Sequence, residues 1–225
     1  TGVKNHSSEL RLVRYILFTL KSGDVVIDAG AHLGYFTMVM AACVSGEGTV
    51  IAFEPSVKTG EYLRKNMLHK LQVRTEQMML SSSKGESTFH EFPLKYSEFN
   101  TSIQRVSKKT MSSTSRVVQM TSLDAYCKEN EIMPGFVKID LAGGEYNVIK
   151  GAMHILTHVE KIALRLRKND YEMLYGPAVT LLVQAGFVAF RINDQGVLVR
   201  MSDIDAYVSS LTEESDHIIF RKFIG

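Results

Sequence analysis

The sequence predicts an α/β fold in which helices cover both faces of a mostly parallel sheet. Three apolar runs end in an acidic residue, at residues 25–28, 49–54 and 136–140. Each run leads through a turn with glycine or proline into a stretch with helical periodicity. Strands that alternate with helices in this way build a parallel sheet. The 225 residues are enough for one such domain.

Composition excludes several classes of protein. Hydrophobic residues make up 45% and charged residues 22% of the chain, as in globular domains, and the net charge of +2 indicates no general polyanion partner. The apolar runs are shorter than the ~20 residues of a membrane span, and no signal-peptide pattern occurs. We therefore expect a cytoplasmic protein without a membrane or nucleic-acid partner. Cys43 and Cys127 form no C-x-x-C pair, so no metal site is predicted.

Residues 24–55 contain the strongest functional signal. A strand ends at Asp28, a turn with Gly30 and Gly34 follows, and the next strand ends at Glu54. Ligands of parallel sheets bind outside the carboxyl ends of the strands, where glycine allows the backbone to approach them. An acidic side chain about 20 residues after the turn is placed to accept hydrogen bonds from ribose hydroxyls. The unit therefore predicts a nucleoside-containing ligand.

Two ligand classes fit this unit. Dinucleotide sites use G-x-G-x-x-G, but residues 28–34 read D-A-G-A-H-L-G and lack the middle glycine. An aspartate before the turn suits a ligand with a cationic amino group or sulfonium better than a pyrophosphate. S-adenosylmethionine is such a ligand.

Four motifs in order resemble the FkbM family of S-adenosylmethionine-dependent methyltransferases. They are D-A-G-A-H-L-G-Y-F-T at 28–37, A-F-E-P at 52–55, V-K-I-D-L-A-G-G-E at 137–145 and V-I-K-G-A at 148–152. The resemblance covers residues 25–220. It implies a Rossmann-like class I methyltransferase fold with a seven-stranded sheet, whose last strand is antiparallel and inserted near the edge.

The resemblance also implies site residues. It assigns Asp28 and the following turn to the methionine end of the cofactor, and Glu54 to the ribose hydroxyls. The expected cofactor-binding residues are Asp28, Gly30, His32, Gly34, Thr37, Glu54 and Pro55. An alcohol acceptor must lose a proton, and a positioned base assists that step. Asp140 and Glu145 are the expected catalytic residues, with His32 and His154 as further candidate bases.

The implied activity is O-methylation of a hydroxyl on a sugar or a polyketide-like small molecule. Two departures leave an alternative open. Ala142 stands where relatives usually carry an acid, and Arg165 lies in a strand that commonly ends in Glu. A catalytically weak or inactive binding or scaffold protein with the same fold is therefore the second hypothesis. A methyltransferase acting on RNA is a weaker third, because no basic stripe with interleaved aromatic residues occurs.

The predicted organisation is an N-terminal helical cap at 1–23 and a methyltransferase domain at 24–225. The cap helix covers the sheet edge or acts as a lid, and its expected buried residues are Leu10, Val13, Leu17 and Leu20. Residues 93–115 lack periodicity and form either an inserted lid over the acceptor site or a disordered loop. In the lid hypothesis, the acceptor contacts are Tyr96, Phe99 and Asn100.

Overall fold

The computed structural model describes residues 7–102 and 112–223. The strands of this part of the chain are β1 (Val25–Ala29), β2 (Thr49–Phe53), β3 (Val73–Glu76), β4 (Met79–Leu80), β5 (Gly85–Glu91), β6 (Thr114–Thr121), β7 (Phe136–Ile139), β8 (Lys161–Arg167), β9 (Val188–Ile192), β10 (Leu198–Arg200) and β11 (Ser215–Arg221). Its helices are α1 (Ser7–Thr19), α2 (Tyr35–Val44), α3 (Val57–Asn66), α4 (Leu123–Asn130), α5 (Glu145–Lys150), α6 (Gly176–Gln184) and α7 (Ile204–Ser210).

The main sheet has the strand order β10-β9-β11-β8-β7-β1-β2-β3. Five adjacent strands, β8, β7, β1, β2 and β3, run parallel to one another. β11 runs antiparallel between β8 and β9, which confirms the expected inserted last strand. The sheet has eight strands and not seven, because the short β10 pairs with β9 at the edge. β10 has three residues, too few for the alternating pattern of a strand to be recognised in the sequence.

A separate small sheet has the order β4-β6-β5. The sequence pattern predicts one third strand at residues 72–80, but the structure divides this stretch into two elements. Its first part is β3 of the main sheet and its last part is β4 of the small one. A bend between Glu76 and Met79 separates them. This bend turns the chain across the carboxyl edge of the main sheet.

Helices cover both faces of the main sheet, as predicted. On one face, Ile27, Val137 and Leu164 belong to a core that includes residues of α4, α5 and α6. On the other face, Val26 and Phe136 belong to a core shared with α1 and α2. Successive strand residues point to opposite faces, so each buried strand serves both cores.

The helix predicted at the amino terminus is α1, but its predicted buried face is only partly right. Leu20 is buried and Val13 packs against the core, whereas Leu10 and Leu17 are 51% and 55% exposed. The main buried side chains of the helix belong to Leu12, Tyr15 and Ile16. Two apolar stripes overlap on this helix, and the sheet buries the one with the aromatic ring. Because α1 packs on the α2 face, its first residues come close to the carboxyl ends of the strands.

Two helix boundaries differ from what proline positions predict. A proline after Glu54 predicts that Pro55 lies in the first turn of the next helix, but Pro55 precedes the helix cap Ser56 of α3. Gly176 and Pro177 predict a break in a helical stretch that starts near residue 169. Instead, a single π-helical turn, Tyr171–Tyr175, leads directly into α6 with Pro177 in its first turn.

The predicted insertion at 93–115 is partly described. A short 3-10 segment, Leu94–Phe99, follows β5, and β6 begins at Thr114. Residues 103–111 lie outside the described residues, so the lid hypothesis stays a prediction for them. Arg116 lies on β6, and its Nε pairs with the Glu91 carboxylate at 3.0 Å.

Candidate active site

A cavity of about 950 Å³ lies at the carboxyl ends of the parallel strands. Its walls come from the segments after β1, β2, β3 and β7, the end of β8 and the segment before β11, together with the start of α1 and the 3-10 segment Leu94–Phe99. Among the sequence-predicted site residues, those on its wall are Gly30, His32, Glu54, Pro55 and Asp140. Those that are not on its wall are Asp28, Gly34, Thr37 and Glu145. The predicted residues therefore divide into a lining group and a supporting group.

The two glycines of the β1 turn are required by close packing. Gly30 has φ +80°, and an added Cβ would lie 2.1 Å from the carbonyl oxygen of Asp140. Gly34 has φ +93°, and its Cβ would lie 2.8 Å from Cδ1 of Leu63. Side chains at either position would force the turn away from its neighbours. The close approach holds the β1 and β7 loops together on one wall of the cavity.

Asp28 lies below the cavity in a buried ion pair. Its Oδ1 accepts a hydrogen bond from Nζ of Lys138 at 2.9 Å, and its Oδ2 accepts one from the Thr37 hydroxyl at 2.7 Å. The side chains of Lys138 and Asp28 are 2% and 0% exposed. The β1/β7 register places these two residues side by side. The geometry thus gives Asp28 and Thr37 a supporting position under the turn, and the cofactor contact that the resemblance implies for them stays a prediction.

Glu54 ends β2 with its carboxylate against the cavity wall. Oε1 accepts hydrogen bonds from the Ser56 amide at 3.1 Å and the Thr59 hydroxyl at 2.8 Å. Oε2 accepts one from the His32 amide at 2.8 Å. Burial raises the pKa of Glu54, and these hydrogen bonds oppose that rise. A carboxylate has about four acceptor positions, so Oε2 keeps one for a ligand hydroxyl.

His32 holds the turn against the insertion. Its backbone is left-handed, with φ +53°, and its Nε2 lies 2.7 Å from the Ser97 hydroxyl oxygen. Burial lowers the pKa of the His32 imidazole. The ring is therefore neutral at pH 7. Its backbone amide reaches Glu54, so His32 links two walls of the cavity.

Asp140 follows β7 and faces the cavity beside Arg165. Nη1 of Arg165 donates to Oδ2 of Asp140 at 3.2 Å. Burial alone would raise the pKa of Asp140, but the positive charges of Arg165 and Lys138 outweigh it and lower that pKa. Asp140 is therefore an ionised hydrogen-bond acceptor and a weak base.

Glu145 braces the β7 loop from inside. Its two carboxylate oxygens accept hydrogen bonds from the amides of Leu141 and Gly143, both at 2.9 Å. The residue is fully buried. Burial raises the pKa of Glu145 to about 7, although these amide hydrogen bonds act in the opposite direction. In this placement the Glu145 carboxylate holds the loop that carries Asp140, and its expected catalytic role stays a prediction.

The cavity has an apolar end beside β2 and β3. Its lining there consists of Phe53, Met78, Met79, Leu80, Phe89 and Phe99. Phe99 and Asn100, two of the three expected acceptor contacts in the insertion, are on the wall, whereas Tyr96 is not. Planar apolar ligands pack well on such side chains.

Sequence reasoning missed two basic residues of the site. Lys138 is charged inside the buried run V-K-I-D, and that mismatch with a buried strand is the signal that should have marked it. Arg167 lies two residues after Arg165 on β8, and both line the cavity. In a strand, residues two apart share a face. The β8 end thus carries a pair of guanidinium groups where the family resemblance suggested an acid.

His154, the remaining candidate base, lies outside the lining and tilts its ring against His158. Over residues 7–102 and 112–223, no group of three His, Cys, Asp or Glu side chains is arranged to hold a metal ion. Nor does any helix in these two segments have the length and apolar character needed to cross a membrane.

Comparison with known proteins agrees with this geometry. Residues 28–189 match the model of the methyltransferase FkbM domain. A curated relative, the hexuronic acid methyltransferase AglP of Haloferax volcanii, is 26% identical over 167 residues. That match covers 73% of this chain and 64% of the relative, so the chain spans less than two thirds of the relative's length.

Solved structures share the fold at low identity. The methyltransferase FkbM of Methylobacillus flagellatus has a TM-score of 0.56 at 12% identity, covering 92% of this chain and 47% of that one. A protein described as a putative rRNA methylase, from Clostridium thermocellum, has a TM-score of 0.55 at 14% identity, covering 100% and 99%. A putative methyltransferase from Streptococcus mutans, solved with S-adenosylhomocysteine, has a TM-score of 0.53 at 10% identity, covering 96% and 98%. With its Rossmann-like methyltransferase fold and a family match over more than two thirds of its length, the chain belongs to the FkbM methyltransferase family.

Proposed function

We propose that this protein binds S-adenosylmethionine and methylates a hydroxyl of a small molecule, of the sugar or polyketide-like class. The observation that carries the proposal is the Glu54 carboxylate, which keeps an acceptor position beside a cavity with an apolar end. A ribose hydroxyl next to an adenine ring matches that combination. The neighbour from Streptococcus mutans, solved with S-adenosylhomocysteine, supports the choice of cofactor.

The residues present fit such a cofactor. Glu54 would accept a hydrogen bond from one ribose hydroxyl, and the apolar end beside Met78 and Phe89 would hold the base. The Gly30 turn lines the cavity and would meet the methionine portion through its backbone. Asp28 and Lys138 would keep the turn in place from below.

When bound, the cofactor supplies a methyl group on a sulfonium, which an acceptor oxygen takes by in-line displacement. The protein has to hold the acceptor close and aligned, exclude water, and receive the hydroxyl proton. Asp140 is a candidate for this role, because its carboxylate faces the cavity between the β1 turn and β8. We propose that Asp140 accepts a hydrogen bond from the acceptor hydroxyl and receives its proton as the new C–O bond forms and the C–S bond of the cofactor breaks. Glu145 keeps the loop that carries Asp140 in position.

A small-molecule acceptor is favoured over nucleic acid. The relative AglP is named for a hexuronic acid, which is a small-molecule building block. The site is a partly enclosed cavity and not a basic stripe, and the net charge of the chain is only +2. The similarity to proteins described as rRNA methylases is at 14% identity or less and concerns the fold.

The test is a methyl-transfer assay with a panel of hexoses, hexuronates and hydroxylated polyketides, and with RNA as a further substrate. Formation of S-adenosylhomocysteine together with a methylated hydroxyl on one of the small molecules is the expected result. Turnover on RNA alone would contradict the small-molecule assignment. Cofactor binding without turnover on any acceptor would favour the binding or scaffold alternative.

A further inference from the structure

The cavity has two chemically different ends, set by the order of the strands. Adjacent strands β2, β1, β7 and β8 bring Glu54, the Gly30 turn, Asp140 and the β8 arginines to one edge in that order. The acid expected to hold ribose is therefore separated from the β8 end by two intervening strands. If the proposed function is right, on which this inference rests, the β8 end faces the acceptor.

Arg165 is only partly used by the protein. Its Nε donates to the Ser215 hydroxyl at 3.0 Å and its Nη1 donates to Asp140 at 3.2 Å. A guanidinium has five N–H donors, so donors remain for a ligand. The pairing with Asp140 fixes the plane of the group at the cavity wall.

Arg167 has a donor that no described residue satisfies. Its Nε is buried and lacks a hydrogen-bond partner, and within the described residues no carboxylate lies within the 4.0 Å of an ion pair. Its neighbour across the β8/β11 pairing is Ser215, which already serves Arg165. A buried donor without a partner is rare in proteins, and its explanations include a functional role, an ordered water or a bound ion.

Acidic residues also line this end of the cavity. The carboxylates there belong to Glu9, Glu213 and Glu214, and Glu213 accepts a hydrogen bond from the Ser7 hydroxyl. Lys138 pairs with Asp28 and Arg165 pairs with Asp140, whereas Arg167 forms no ion pair with a described residue. An anion bound here would therefore depend on hydrogen bonds from Arg165 and Arg167 that outweigh its repulsion by the three glutamates.

We propose that Arg165 and Arg167 bind an anionic group of the acceptor, and that this group is a carboxylate, as on a hexuronate. The planar guanidinium matches a carboxylate through two parallel hydrogen bonds, which fixes orientation as well as affinity. Two such groups on one face of β8 would hold the carboxylate while a hydroxyl of the same sugar lies near Asp140. A neutral hexose could offer hydroxyl acceptors to these arginines, but it lacks the charge and the paired oxygens of a carboxylate.

The test is a nitrogen-15 NMR titration of the full chain, with S-adenosylhomocysteine present, that follows the arginine Nε–H resonances. We expect D-glucuronate to shift the Arg167 resonance saturably, and glucose to leave it unchanged. The variant Arg167→Gln should weaken glucuronate binding roughly tenfold to a hundredfold. The matched variant Arg200→Gln, on the exposed face of β10, should bind glucuronate like the parent.

Several results would overturn the inference: glucose binding as tightly as glucuronate, unchanged glucuronate affinity in Arg167→Gln, or no saturable glucuronate binding. Tighter binding of glucose 6-phosphate than of glucuronate would overturn the assignment to a carboxylate. Arg165→Lys offers a second variant that keeps the charge but loses the fork, and it should also weaken glucuronate binding. Cofactor affinity is measured on the same samples, so a failure of the proposed function would appear as absent S-adenosylhomocysteine binding in the parent.

Discussion

Replacing Lys138 by methionine should destabilise the protein strongly, because it leaves the Asp28 carboxylate buried without its counter-charge. Methionine keeps the length of the aliphatic side chain, so the change removes the charge and little packing. Nζ of Lys138 lies 2.9 Å from Asp28, and both side chains are almost fully buried. The pair also lies directly under the glycine turn.

The size of the effect follows from what Asp28 retains. Removing one partner of a buried ion pair costs about 3–5 kcal/mol in free energy of unfolding. The Thr37 hydroxyl still donates to Asp28 in the variant, which places the expected loss near the lower end, at about 3 kcal/mol. Removing both charges, in Asp28→Asn with Lys138→Met, should be less damaging than Lys138→Met alone.

The assay is urea unfolding of the parent, the two single variants and the double variant, analysed as a double-mutant cycle. A coupling free energy above about 1.5 kcal/mol is expected, since the two groups are in contact. A Lys138→Met protein that unfolds within about 0.5 kcal/mol of the parent would refute the reasoning, as would single-variant losses that simply add.

Two further predictions concern the loops around the cavity. Gly30→Ala should lower the free energy of unfolding by about 2 kcal/mol or more, because its new Cβ would meet the Asp140 carbonyl oxygen at 2.1 Å in a left-handed backbone. The control Gly46→Ala has free space around its Cβ and should change the free energy of unfolding little. Equal unfolding midpoints for the two variants would be inconsistent with the packing. Because burial raises the pKa of Glu145 from 4.5 to about 7, the folded state holds a proton that the unfolded chain releases, so stability falls as pH rises from about 4.5 to 7, by up to about 3 kcal/mol. Unfolding midpoints of the parent and of Glu145→Gln at pH 5 and 7.5 check this, and an equal pH dependence in both proteins would show that Glu145 does not titrate in that range.

Local signals in the sequence were enough to predict the parallel core and the wall of the cavity. Glu54 and Asp140 end buried strands, and in a parallel sheet the carboxyl ends of neighbouring strands share one edge. The prediction of a turn that needs Gly30 rested on the same local pattern. These features depend on residues close together in the chain, so periodicity and turn chemistry suffice to find them.

The sequence predicts less where distant segments decide the outcome. The surroundings of Asp28 depend on Lys138, which lies 110 positions away and becomes its neighbour only through the β1/β7 register. Glu145 has the composition of a catalytic acid, but the fold turns its carboxylate back into its own loop. Two apolar stripes overlap on α1, and the sequence does not show which of them packs on the sheet. The stripe with Tyr15 is the buried one.

Calorimetric titration of S-adenosylmethionine tests most directly whether Glu54 helps this cavity to bind that compound. The parent should bind it with micromolar affinity and should not bind NAD. Glu54→Gln should lose about tenfold to a hundredfold in affinity, since a charge-assisted hydrogen bond contributes about 1.5–3 kcal/mol. The control Glu76→Gln, at the end of β3 and off the cavity wall, should bind like the parent. No binding by the parent, or equal binding by the parent and Glu54→Gln, would contradict the claim.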